Sequence, residues 1–268
     1  MAGLFQVLWG EADGTFRPAE PLRGSDGEPL ILPTGGGEDD VVDKICTRPF
    51  AVDWDGDGEL DLVTGNFIGT FAWFRGEGAG RFAPQCTWLE ADGERLSVRL
   101  HSDPFVIDWD GDGDLDLLSG SGGGGAFLFV NVGTRTAPKF ASTPVTLLAD
   151  FEHEDGAEER FGDAHVVRPT HATRIWIADV NGDGKLDLLL GDQIQLQHLQ
   201  EGVTEAAAKA ALADWGRRQQ ELFASMPQGE PTPEQEAKWS AAWDALLEER
   251  KKFVREDATG FVWLLQQK

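Results

Sequence analysis

The chain has 268 residues, of which 41% are hydrophobic, so it is long enough to bury a sizeable core. Its formal net charge of −24 argues against nucleic acids and anionic membrane surfaces as partners, because a polyanion is repelled by them. Solubility or salt adaptation is the alternative interpretation of this acidity. No run of about 18 apolar residues is present, so we predict no transmembrane span. The first residues also lack the basic and apolar regions of a signal peptide.

The first strands are predicted near the amino terminus. Residues 5–9 are typical of a strand, and residues 14–18 of the start of another, so residues 1–22 predict half of a repeated unit. Residues 23–44 are rich in Gly, Pro and Asp and predict a loop.

Two full units follow, at 45–92 and 100–150, and each contains a nearly identical acidic segment. DWDGDGELDL spans 53–62 and DWDGDGDLDL spans 108–117. An apolar strand precedes each acidic loop, a second strand leaves it, and a third strand with aromatic residues comes next. A more polar fourth strand is predicted from Phe82 and from Phe140, each close to a proline that suits an edge strand.

The last unit, 171–268, follows a long acidic connector at 150–170 and repeats the pattern with an interruption. Its acidic segment is DVNGDGKLDL at 179–188, and its third strand is predicted at 261–264. Between them, residues 203–256 favour a helical hairpin with helices on both sides of a turn at 227–231. Thr232, Pro233 and Gln235 predict a capping box at the start of the second helix. Its apolar stripe is predicted at Trp239, Trp243, Leu246, Leu247, Phe253 and Val254.

Four antiparallel strands in each unit of roughly 40–55 residues are typical of a propeller blade. The sequence therefore predicts an all-β fold, a single partial β-propeller domain over 1–268. This domain has about three and a half four-stranded blades and an inserted α-helical hairpin. Such a number does not close a ring in the usual way. We expect either a homodimer that completes the propeller or a piece of a longer protein, and we favour the homodimer.

The acidic segments predict about three Ca²⁺ ions per chain. Oxygen donors recur at alternate loop positions, which suits a hard cation that accepts six to eight oxygens, with Mg²⁺ as second choice. Leu60, Leu115 and Leu186 are expected to anchor the strand that leaves each loop. The predicted metal ligands, with the seventh position acting through its carbonyl, are Asp53, Asp55, Asp57, Glu59 and Asp61; Asp108, Asp110, Asp112, Asp114 and Asp116; and Asp179, Asn181, Asp183, Lys185 and Asp187.

The acidic segments have two alternative interpretations, EF-hand loops and plain acidic turns. EF-hand loops need an acidic twelfth residue, and here that position holds Thr64, Ser119 and Leu190, which excludes them. Plain acidic turns are disfavoured because two carboxylates about 4 Å apart repel by roughly 4 kcal/mol at an effective dielectric near 20. The third loop has Asn181 in place of an aspartate, so we expect it to bind most weakly.

The three Asp-x-Asp/Asn-Gly-Asp-Gly-x-x-Asp-Leu loops and their flanking strands resemble the FG-GAP/VCBS repeat family, which includes the integrin α-subunit propellers. The likeness is closer to bacterial VCBS proteins, since the literal Phe-Gly and Gly-Ala-Pro elements are not clearly present in the repeats. The resemblance implies a propeller, calcium held between the first and second strands of each blade, and an extracellular or periplasmic protein. It implies no particular activity.

The function expected is a calcium-binding module for protein interaction, adhesion or scaffolding, rather than an enzyme. His165 and His171 near Asp163 are weak evidence for a catalytic site, and carboxylates that hold Ca²⁺ stay ionised and cannot act as general acids. The alternative is a carbohydrate-binding or polysaccharide-acting propeller, with Trp9 and Trp88 as candidate platforms. Cys46 and Cys86 are too few to establish a disulfide.

Overall fold

The computed structural model describes residues 3–33, 44–152, 160–226 and 231–268. Contacts divide the chain into two compact units. The repeat unit comprises 1–152, 169–193 and 260–268, and the insertion unit comprises 153–168 and 194–259.

The amino-terminal part of the repeat unit is a short ribbon. Strand β1 (Gln6–Val7) pairs with β2 (Glu20–Pro21) in antiparallel fashion. The paired strands are shorter than the predicted segments, and the second begins after the predicted segment 14–18. That 1–22 forms half of a unit therefore stays a prediction. The loop predicted at 23–44 contributes Leu30 and Leu32 to the core, at 1% and 0% exposure, while its residues 34–43 lie outside the described part.

The two full units each form a four-stranded antiparallel sheet, as predicted. We call them the first and second sheets. A small hairpin, with two residues in each strand, lies between them in the chain. The first sheet contains β3 (Arg48–Val52), β4 (Asp61–Gly65), β5 (Phe71–Phe74) and β6 (Thr87–Trp88). The small hairpin contains β7 (Glu90–Ala91) and β8 (Glu94–Arg95). The second sheet contains β9 (Asp103–Ile107), β10 (Asp116–Gly120), β11 (Ala126–Phe129) and β12 (Val145–Leu148).

The fourth strands begin later than predicted. Phe82 and Phe140 form only isolated bridges, with Gly76 and Asn131 respectively, whereas β6 and β12 start at Thr87 and Val145. Pro84 and Pro138 supply no backbone N–H, so continuous pairing starts only beyond them.

The last unit forms a third sheet whose second and third strands are separated by the insertion, as predicted. Strand β13 (Arg174–Ala178) pairs with β14 (Asp187–Gly191). The insertion unit then supplies β15 (Ile194–Leu199), α1 (Glu205–Ala224), α2 (Pro233–Arg250) and β16 (Val254–Thr259), after which β17 (Val262–Leu265) returns to pair with β14. The sequence did not predict the β15–β16 ribbon.

The insertion leaves the turn between the second and third strands intact. In the first and second sheets, the side chain after β4 or β10 accepts a backbone N–H bond from the residue before the third strand: Asn66 from Thr70 and Ser121 from Gly125. In the third sheet Asp192 accepts the same bond from Phe261 at 2.7 Å, although 68 residues separate them in the chain. The helical hairpin therefore extends from a turn that is closed at its base.

The helical hairpin has the predicted caps. Thr232 and Gln235 form the capping box reciprocally, with Pro233 as the first helical residue. Thr204 caps α1 by accepting the N–H of Ala207. Phe253 and Val254, which we assigned to the stripe of α2, lie beyond its end, and Val254 begins β16. Most of the turn predicted at 227–231 lies outside the described residues. The two helices meet through an aromatic cluster of Trp215, Phe223, Trp239 and Trp243.

Successive sheets of the repeat unit pack face to face and enclose one apolar core in each interval. As a result β4 and β10 are buried on both faces. The core between the ribbon and the first sheet includes Phe5, Leu22, Leu62 and Phe74. The core between the first and second sheets includes Val63, Phe71, Val106, Leu117 and Phe129. The core between the second and third sheets includes Phe105, Leu118, Leu128, Ile177, Leu188 and Leu190.

Glycine ends the second strand of each sheet, and in the first two sheets the backbone just before the next sheet lies close to this glycine. A Cβ on Gly65 would lie 2.3 Å from the Ser102 carbonyl oxygen, and one on Gly120 would lie 2.3 Å from that of Thr173. At Gly191, which ends β14, the nearest atom is the Arg174 Cβ at 3.9 Å. Within the described residues, no helix has the length and apolar character needed to cross a membrane.

Candidate calcium-binding loops

The three acidic loops connect β3 to β4, β9 to β10 and β13 to β14, and they share one hydrogen-bond pattern. The aspartate at the ninth position of each loop is buried: Asp61, Asp116 and Asp187 are 0%, 1% and 0% exposed. Its Oδ2 accepts the backbone N–H of the second loop residue, at 2.7 Å from Trp54, 3.0 Å from Trp109 and 3.1 Å from Val180.

The other oxygen of the ninth-position aspartate reaches the third strand. Its Oδ1 accepts the N–H of the second residue after that strand, from Gly76 at 2.6 Å, Asn131 at 2.8 Å and Gln267 at 3.1 Å. One carboxylate thus links the loop, the second strand and the end of the third strand. The expectation that Leu60 anchors the strand exit is wrong, because Leu60 is 61% exposed and the neighbouring Asp61 is the buried residue.

The first-position aspartates face inward across the loop because of the glycine at the sixth position. Gly58, Gly113 and Gly184 have φ values of 92°, 97° and 85°, a region that favours glycine. Their N–H groups donate to the Oδ2 of Asp53, Asp108 and Asp179 at 3.3, 3.1 and 2.9 Å. This bond turns each loop back over its own first residue, as expected of a segment that wraps a cation.

The structure brings together three carboxylates in each of the first two loops. Ligand oxygens of Asp53, Asp55 and Asp61 all lie within 4.8 Å of one another, and those of Asp108, Asp110 and Asp116 do the same. Among the described residues, the third loop forms no such acidic triad, since Asn181 replaces the third-position aspartate. Asn181 donates instead to Asp183 at 3.0 Å. A weaker third site stays a prediction.

These triads fit a hard cation. All the donors are oxygens, and the Oδ1 of Asp53 is buried without a hydrogen-bond partner, which is costly unless another ligand occupies it. Thr64, Ser119 and Leu190, at the position of the absent EF-hand ligand, lie on strands and are 1%, 0% and 0% exposed. The loops are therefore strand-linked, as the sequence indicated.

The remaining predicted ligands lie beside the triads. Asp57, Asp112 and Asp183 at the fifth position accept the N–H of the seventh residue at 2.9, 3.0 and 2.9 Å. Ligation through the carbonyls of Glu59, Asp114 and Lys185 stays a prediction. The Asp114 side chain, which the sequence did not indicate as a candidate ligand, is buried, and its Oδ1 has no hydrogen-bond partner. An acidic residue at the seventh position was the sequence feature that could have indicated this further carboxylate.

The first and second loops differ in their electrostatics. Arg75 binds Asp55 and Asp57, and Arg135 donates to the carbonyl oxygens of Asp53 and Trp54. The hydrogen bond from the backbone N–H of Glu59 has the larger effect and that from Arg75 the smaller, and together they hold the pKa of Asp57 below its usual value. Among the described residues, no Lys or Arg forms an ion pair with the second loop.

The second loop shows the effect of uncompensated charge. Burial raises the pKa of Asp114, and the neighbouring carboxylates of Asp112 and Asp116 raise it further. Burial also raises the pKa of Asp116, although the N–H groups of Asn131 and Trp109 oppose the shift. The carboxylates of the second loop are therefore less compensated by basic side chains than those of the first.

Comparison with known families agrees with this geometry. The model of the FG-GAP-like repeat matches residues 53–119 and 108–190, together just over half of the chain. The chain belongs to the FG-GAP-like repeat family. Each match begins at a first-position aspartate, so one FG-GAP-like repeat runs from one acidic loop into the next. No curated protein matches the chain.

The other candidate residues of this FG-GAP-like chain lie away from the loops. Arg95 lies over the Trp88 ring, 3.9 Å from its centroid, so that face of Trp88 is covered. Trp9 lines a cleft of about 170 Å³ and donates its indole N–H to Glu20. The His171 ring lies 6.5 Å from that of His101. Cys46 and Cys86 are both free thiols, and burial raises the pKa of Cys86 to about 11.

Proposed function

We propose that the chain is a calcium-stabilised, non-enzymatic interaction module of an exported protein, in which the three sheets act as successive propeller blades. The observation that carries the proposal is the pair of carboxylate triads in two nearly identical loops. The repeat family and the oxygen-only donor set support calcium rather than a transition metal.

Calcium would add to the cross-link that the ninth-position aspartate makes between the loop and the strands. That residue already ties the loop to two strands through backbone N–H bonds. The first and third carboxylates are near it and repel one another when no cation is present. Bound Ca²⁺ would convert this repulsion into attraction and fix the hairpin between the first and second strands. Three ions would change the net charge from −24 to −18.

The test is calcium titration of protein stripped with EDTA, followed by calorimetry and thermal melting. We expect up to three ions per chain, and a stabilisation of about 2.7 kcal/mol per site when free Ca²⁺ is 100 times the Kd. Each of Asp53→Asn, Asp108→Asn and Asp179→Asn should remove about one ion. An identical melt in EDTA and in calcium, with no binding heat, would refute the proposal, and Mg²⁺ serves as the control for selectivity.

The outward face of the third sheet is the surface that we propose for a partner. Its side chains are at the register positions that form cores in the other sheets. Trp176, Leu189 and Leu264 correspond to Phe105, Leu118 and Leu128, which the third sheet covers. Yet Trp176, Val262 and Leu264 are 61%, 77% and 46% exposed. An apolar face of this kind is typical of an interaction site.

We propose a second copy of the chain as the occupant. The order of the cores places the amino-terminal ribbon and the third sheet at opposite ends of the stack in the repeat unit. The ribbon end also exposes apolar side chains, Leu8 at 54% and Phe16 at 67%. Two copies related by a two-fold axis would place each third sheet on the ribbon end of the other and form one ring. The covered Trp88 face favours a protein over a glycan as partner.

Light scattering coupled to size exclusion tests this assembly. We expect a dimer in calcium, and we expect Val262→Asp, at a 77% exposed position of the same face, to give a monomer with native circular dichroism. Val132→Asp is the matched control, since Val132 is 59% exposed but does not belong to the third sheet. A monomeric parent protein at every concentration, with and without calcium, would exclude the dimer.

A further inference from the structure

We propose that Arg75 is a built-in competitor of Ca²⁺ in the first loop, so that this site holds an internal cation when calcium is scarce and binds calcium more weakly than the second. The inference rests on the proposed calcium binding and concerns the order in which the sites fill.

Arg75 contacts the ligand set directly. Its Nε lies 3.0 Å from the Oδ2 of Asp55, and its Nη2 lies 2.7 Å from the Oδ2 of Asp57. Asp55 belongs to the triad that would hold the ion. The next residue, Gly76, donates its N–H to Asp61 at 2.6 Å, which holds the backbone of Arg75 beside the loop. The guanidinium and a calcium ion therefore depend on the same carboxylates.

The contact is one that calcium can displace. The Arg75 side chain is 54% exposed, and surface ion pairs of this kind are weak. A divalent ion held by three or more carboxylates interacts more strongly than one half-exposed guanidinium. Arg75 would therefore leave Asp55 when the ion enters, or it would stay near Asp55 and repel the ion. Either outcome lowers the affinity of the first loop for Ca²⁺.

The other two repeats provide the natural comparison. The strand registers place Val130 and Gln266 at the positions of Arg75, immediately before the residues that donate to Asp116 and Asp187. No described basic side chain pairs with the second loop. In the second and third repeats, the position of Arg75 is therefore occupied by an uncharged residue.

The experiment uses full-length protein in which Asp108→Asn and Asp179→Asn weaken the second and third sites, so that calorimetry with CaCl₂ reports the first. In this background, Arg75→Gln should tighten calcium binding about tenfold. The same substitution should lower the melting temperature in EDTA, because the loop loses its internal cation. A purely structural arginine would not give opposite changes in the two measurements. Arg217→Gln, on α1, is the control for net charge.

The converse variant is Val130→Arg, with Asp53→Asn and Asp179→Asn to isolate the second loop. It should weaken calcium binding about tenfold. Unchanged Kd values in both variants, with calcium bound, would overturn the role of Arg75 and leave the proposed function intact. If the parent protein binds no calcium, the proposed function fails and this inference fails with it. Circular dichroism of every variant separates loss of folding from loss of binding.

Discussion

The second and third sheets are built from the same repeat but are covered differently. Their acidic loops share the hydrogen bonds of the ninth-position aspartate, and their strands pair in the same register. The central strand β10 of the second sheet is buried on both faces, whereas the third sheet exposes Trp176 and Val262. The repeat therefore determines the hairpin, while burial depends on which sheet comes next.

The glycines at the ends of β10 and β14 show this difference most directly. The Gly120 position is closed by the Thr173 carbonyl, whereas among the described residues the atom nearest to a Cβ at Gly191 is the Arg174 Cβ at 3.9 Å. The Thr173 Oγ1 also accepts the N–H of Ser121 at 2.9 Å and so fixes the separation of the two sheets. Glycine is thus sterically required at the end of β10, whereas at the equivalent end of β14 there is space for a side chain.

The largest effect is expected from Gly120→Ala. The new methyl group would meet backbone atoms that cannot move without separating the sheets, so we expect a loss of about 2–4 kcal/mol in the free energy of unfolding. Gly191→Ala is the matched control and should change it by less than about 0.5 kcal/mol. Urea unfolding in calcium, at a protein concentration low enough to keep the chain monomeric, measures both. Equal losses would contradict the distinction between the covered and open sheets.

A somewhat smaller effect is expected from Asp116→Asn. The buried carboxylate accepts two backbone N–H bonds, and an amide can accept only one of them without placing its own NH₂ against the other donor. We expect a loss of about 2–3 kcal/mol, measured in EDTA so that calcium binding does not contribute.

The control for this prediction is Asp112→Asn in the same loop. Asp112 is exposed and accepts one bond, from Asp114, so its replacement should cost less than about 1 kcal/mol. If both variants lose the same stability in EDTA, the ninth-position aspartate is not the cross-link that we describe.

Much of the repeat unit could be predicted because its signals are local. The apolar strand, the acidic loop with two glycines and the second strand lie within about 20 consecutive residues, so the loops and the strands beside them follow from sequence pattern alone. The capping box at Thr232 was predictable for the same reason.

The parts that could not be predicted depend on contacts between distant residues. Leu30 and Leu32 lie in a segment with loop composition, yet they pack against the first sheet. Arg75 follows a strand as an ordinary polar residue would, and only the folded hairpin places it on Asp55 and Asp57. The β15–β16 ribbon pairs two segments that lie on opposite sides of the helical hairpin in the chain, so no local pattern indicates their pairing.

The smallest effect is expected in the insertion of the third sheet, from Thr232→Ala. Removal of the Thr232 hydroxyl leaves the N–H of Gln235 without its capping partner, which should cost the helix about 1 kcal/mol. Hydrogen exchange should therefore be about fivefold faster in the first turns of α2, with β13 and β14 unchanged. Ser240→Ala, at an exposed position within α2, should slow exchange slightly, since alanine favours helix. Faster exchange in β14 would show that the insertion supports the third sheet, rather than extending from a turn already closed by Asp192.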